Sequence, residues 1–240
     1  MARTFEQQVE VLTGLAITPS SVPTQVQLSQ FLADGVEDIV NKVIALKPED
    51  TVLFSTTSND TGSGVTVESG VILNVTREHD TSGFEPSTET YMLRPAERIP
   101  AKDRLDAQDP TSLKFRSKYN PAYFVQDKTF FVLPKCTSTA GDRGKVCYVT
   151  FDTAVAYDDQ GSSISSFPSK YYNLVALYGA MKTIQAKIAS VVEDDEDSEL
   201  VQLWNSVFSN LQGEYEAFFG KVVTKMPKQQ QQPQGGASEG

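Results

Sequence analysis

The chain has 240 residues, 39% of them hydrophobic and 22% charged, enough to bury a core and to form one large domain or two small ones at roughly 100 to 200 residues each. Twenty-one basic residues against 31 acidic ones leave a net charge of −10, which repels phosphate backbones and argues against tight, non-specific nucleic-acid binding. One histidine, His79, and two cysteines, Cys136 and Cys147, exclude most metal sites and most histidine-dependent catalysis, so no cofactor is expected.

No run approaches the roughly 20 apolar residues of a membrane span. The N-terminal MARTFEQQVEVL lacks the basic-then-apolar order of a signal peptide. These features predict a soluble, cytosol-made protein with no membrane partner and with reduced thiols.

In chain order, Thr4 with Gln7 and Thr24 with Gln27 form two capping-box pairs, each opening a run with helical spacing. The first run, Phe5, Val9 and Leu12, stops at Gly14. The second, Leu28, Leu32, Val36, Ile39, Val43 and Leu46, ends at Lys47-Pro48. Gly35 inside it marks either close packing by a neighbouring element or a tolerated glycine.

From Thr51 to about Ser166 the period becomes strand-like. Expected strands are Val65 to Val75, Ala122 to Val125, Lys128 to Leu133, Lys145 to Phe151 and Ala154 to Tyr157. Gln126-Asp127 reads as the turn of a tight hairpin, and residues 137–144 as the loop of a second. Pro95 to Asp109 has the charge pattern of a short helix.

Helical spacing returns with Leu174, Leu177, Met181, Ile184, Ile188 and Val191. After an acidic turn it continues through Val201, Trp204, Phe208, Leu211, Tyr215, Phe218 and Val222. Two helices joined this way form an antiparallel hairpin. The predicted class is α+β: a helical bundle from N-terminal helices (residues 1–50) and a C-terminal hairpin (167–226), with an inserted antiparallel β-sheet or small β-barrel (51–166). A polar, Gln-rich tail (227–240) is expected to be disordered.

Few residues nominate chemistry. Asp60-Thr-Gly-Ser-Gly is the loop in which aspartic peptidases present a carboxylate, but Ser55 to Asn59 before it is read as a polar loop, and such enzymes need a second carboxylate. Asp80-Thr-Ser-Gly is a similar turn string. Gly141-Asp-Arg-Gly-Lys145 has neither the glycine spacing nor the Ser or Thr of a phosphate-binding loop. His79 reads as a surface-loop residue. Glu193, Asp194, Asp195, Glu196 and Asp197 form a solvated turn at a helix start. Cys136 and Cys147 flank the second hairpin. The aromatic residues crowding the C-terminal helices exceed what a small bundle can cover, which predicts an oligomer.

The segment FPSKYYNLVALYGAMKTIQAKI resembles the C-terminal helices of head-to-tail connector proteins of tailed bacteriophages. SLKFRSKYNPAYFVQDKTFFVLP and KVCYVTFDTAVAY are similar to the β region of phage neck or adaptor proteins. The resemblance spans roughly residues 24 to 222 and rests on layout. It implies a structural virion protein of the neck, assembled in the host cytoplasm and not an enzyme. The protein would form a ring, of twelve copies if matched to the portal, dock on the portal protein, adjoin tail or neck proteins, and let DNA pass without binding it.

By position, Phe219, Lys221, Lys225 and Lys228 correspond to the portal-contacting extension. Residues Glu193 to Asp197 are candidates for an acidic lumen that repels phosphates. The alternatives are another neck, tail-completion or virion structural protein and, more remotely, an aspartic-type peptidase acting through Asp60.

Overall fold

The computed structural model describes residues 3–80, 91–150, 154–193 and 198–224. Helix α1 (Phe5–Thr13) and helix α2 (Gln25–Leu46) both start on the reciprocal capping pairs that their sequences announce. Thr4 Oγ1 accepts from the Gln7 N–H at 3.3 Å and Thr24 Oγ1 from the Gln27 N–H at 3.3 Å, while each Gln side chain accepts from its cap's own N–H. Helix α1 stops at Gly14, whose φ of 70° is left-handed.

Helix α3 (Tyr172–Glu193) is the central helix, packing against α1, α2 and the long outer helix α4 (Ser198–Thr224). Leu174, Val175, Ala176, Leu177 and Ala180 on successive faces of α3 are all buried, as befits a helix with neighbours on every side. Gly35 is a close-packing glycine: a Cβ there would meet the Tyr178 ring at 3.0 to 3.2 Å. Gly179 plays the reciprocal part, with Leu32, Val9 and Leu28 stacked over it.

Between the helix pairs lie two four-stranded sheets and no barrel. The first, ordered β1-β8-β3-β4, comprises β1 (Thr56–Asp60), β8 (Gly144–Val149), β3 (Val71–Asp80) and β4 (Tyr91–Pro95). The second, ordered β2-β7-β6-β5, comprises β2 (Val65–Thr66), β7 (Thr129–Leu133), β6 (Ala122–Gln126) and β5 (Glu97–Arg98). All pairings are antiparallel except β5 with β6.

Val65, Val67, Val75, Val132, Cys136 and Val146 fill the space between the sheets. A separate core of Ile99, Ala107, Ala122, Phe124 and Leu133 includes residues of β6 and β7. Val149 and Phe54 belong to the helical core and anchor the first sheet to the bundle.

Several expected elements differ, each for a local reason. The run from Val65 to Val75 is not one strand: it breaks at Gly70, where φ is 134° and a Cβ would collide with the Val149 carbonyl, so its two halves enter different sheets. The β6–β7 turn falls one residue later than expected, on Asp127-Lys128, whose φ values of 50° and 60° are those of a type I′ hairpin. Residues 134–143 are not a hairpin loop, because β7 and β8 belong to different sheets and this segment crosses between them.

Ala154 to Tyr157 is not a strand. Its backbone groups serve the helices instead: Phe5 and Glu6 donate to the carbonyls of Asp159 and Tyr157 at 2.9 Å each, and Tyr157 donates to Ser29 Oγ at 3.0 Å. Two of the free N–H groups at the start of α1 are thereby satisfied. Between Pro95 and Asp109 the helical portion is one 3-10 turn, Ala101–Arg104.

Candidate functional site

Residues 55–59 are not the polar loop expected: residues 56–59 belong to edge strand β1, whose register pairs Thr56 with Tyr148 and Asp60 with Gly144. Asp60, at the strand's end, is buried. Its Oδ1 accepts N–H groups from Gly62 at 2.7 Å and Gly64 at 2.9 Å, and its Oδ2 accepts the N–H of Val132 at 2.8 Å. Three backbone donors hold this carboxylate in place, folding the Thr-Gly-Ser-Gly loop around it and tying β1 to β7. That is the geometry of a structural anchor.

A denser polar cluster surrounds β3, and the sequence pattern missed it. His79 is not on a surface loop. It lies within β3, buried, with its ring edge-on to Tyr119 at 4.5 Å between centroids. Arg77 is buried beside it and donates from Nη2 to Asp142 Oδ1 at 2.7 Å, from Nε to Pro134 O at 3.2 Å and from Nη1 to Glu78 O at 3.1 Å. Glu78 is fully buried. It accepts the Gly141 N–H on Oε2 at 2.8 Å and pairs through Oε1 with Lys145 Nζ at 3.1 Å.

Gly141 to Lys145, the string with partial likeness to a phosphate loop, therefore spends its N–H, its acid and its base on β3. Burial pushes the Asp142 carboxyl up, but hydrogen bonds from Arg77 and Thr137 outweigh this and hold it below the usual carboxylate range. Arg77 with Asp142 and Glu78 with Lys145 match charge for charge, each pair joining a buried group of β3 to a partly exposed partner, so that neither Arg77 nor Glu78 is left as an uncompensated buried charge. The cluster is a joint that fixes the crossing segment between the sheets.

Cys136 sits in the same layer. Burial pushes its thiol up to about 12, so it stays protonated and is a poor nucleophile at neutral pH. Cys147, half-buried on β8, pairs in register with Thr57 and Asn74, and both thiols are free. Among the described residues no cluster of three or more His, Cys, Asp or Glu side chains could hold a metal ion, and no helix is long and apolar enough to cross a membrane.

A cleft of about 260 Å³ opens beside α2, floored by Val36, Val40, Phe54 and Phe167 and rimmed by hydroxyls that include Thr56 and Ser166, 3.1 Å apart.

The residues nominated for assembly fall in different settings. Phe219 lies in the chain's own core, with its ring stacked on Tyr215 at 6.3 Å. Lys221 is exposed in the last turn of α4. Lys225 and Lys228 lie outside the described residues, as do Asp194, Asp195, Glu196 and Asp197; Glu193 closes α3.

Helix α4 is held chiefly by α3 and has a polar tie to α2: Tyr215 donates its hydroxyl to Asp38 Oδ2 at 2.7 Å while Lys42 pairs with the same oxygen and covers the Tyr215 ring. Burial, then the Asp38 hydrogen bond, hold the Tyr215 phenol above its ordinary range. Among the described side chains of this 27-residue helix only Leu211, Tyr215 and Phe219 are buried. No protein-family model matches the chain, and no curated protein does.

Proposed function

We propose that this chain is a structural virion protein, a head-to-tail adaptor that assembles as a ring on the portal of a tailed phage and extends the DNA channel toward the tail. The observation that carries the reading is α4. It runs roughly 40 Å at 1.5 Å per residue, yet among its described side chains it fully buries only Leu211, Tyr215 and Phe219, with Trp204, Val207, Phe208, Phe218 and Val222 half-covered by the same core. Toward the junction of α3 and α4, Val192 and Leu203 remain 59% and 57% exposed. A long helix whose aromatic residues are only half-covered by its own chain is suited to a neighbour of the same assembly.

Support also comes from the arrangement of terminal helices into one bundle with the β region inserted, which is the layout of the connector proteins that the sequence resembles. The buried charged groups of the β region, Asp60, Arg77 and Glu78, are held by backbone groups and by Asp142 and Lys145, which suits a scaffold more than a reaction centre.

Light scattering after size exclusion, with and without a tailed-phage portal ring, tests the reading. A ring, of twelve copies on a twelve-fold portal, is expected alone or on docking. A chain that stays monomeric and ignores the portal at all concentrations overturns it. Binding to isolated tail in place of portal would assign the protein to the tail-proximal side of the neck.

A further inference from the structure

We draw no further inference here: the strongest candidate, the exposed surface patch of Tyr119, Arg94, Met92 and Leu93 at edge strand β4, carries nothing because nothing in the structure shows what covers it.

Discussion

Replacing Asp60 distinguishes a structural carboxylate from a catalytic one. In Asp60→Ala, the N–H groups of Gly62, Gly64 and Val132, now 2.7 to 2.9 Å from the carboxylate, lose their acceptor. Hydrogen bonds to a charged group are worth about 1.5–3 kcal/mol each. Because the three share one side chain and the loop can relax toward water, their sum is an upper bound, and a loss of about 3–5 kcal/mol is expected.

Asp60→Asn is milder. Its carbonyl oxygen can still accept from Gly62 and Gly64, but its NH₂ group must face the Val132 N–H, donor against donor, for a loss of about 1–3 kcal/mol. Urea unfolding followed by dichroism reads both. With a slope of about 2 kcal/mol per molar, a loss of 3 kcal/mol moves the midpoint down by about 1.5 M. The expected order is wild type, then Asn, then Ala. An Asn variant as stable as wild type would refute the anchoring argument, and peptide hydrolysis lost in that variant would establish a catalytic Asp60.

Gly35→Leu would force a side chain into the Tyr178 ring, and overpacking of this kind costs about 1–3 kcal/mol; a Tm equal to wild type would mean that α2 and α3 are not in close contact there. In native protein at pH 8 a disulfide reagent is expected to titrate Cys147 and to reach Cys136 only after denaturation, since the latter's thiol is buried and pushed up to about 12; two fast thiols would contradict its burial. Asp142 has a folded-state affinity for protons below that of the unfolded chain, so its contribution to stability is complete above the unfolded value of about 3.9 and is lost as pH falls through the lower, folded one. Asp142→Asn should flatten the acid limb of the stability curve below about pH 4, and an unchanged limb would show that the Arg77 pairing is not formed.

Much of the helical architecture was legible because its determinants are local. Thr4 with Gln7, Thr24 with Gln27, Gly14, and the three-and-four spacing of apolar residues each act within one or two turns. The strands Ala122–Gln126 and Thr129–Leu133 were also readable, as two runs rich in aromatic and β-branched residues broken by polar ones, although the turn between them falls one residue later than the sequence suggests.

The polar joint around Arg77 and Glu78 was not legible. These charged residues fall just beyond the strand expected at Val65 to Val75, and nothing within ten residues announces that Asp142 and Lys145, more than sixty positions away, cover them. Edge strand β1 escaped for a related reason: Thr-Thr-Ser-Asn carries no apolar alternation, and its pairing is supplied by β8.

What the sequence alone determined was the order of helix, sheet and helix and the acidic net charge of −10. The tertiary structure decided which faces are consumed. Phe219 goes into the chain's own core, Asp60 goes to three backbone donors, and α4 keeps most of its surface uncovered. Caps and periodicity are short-range properties of the covalent chain, whereas burial and charge pairing depend on segments brought together only when both sheets and the bundle close.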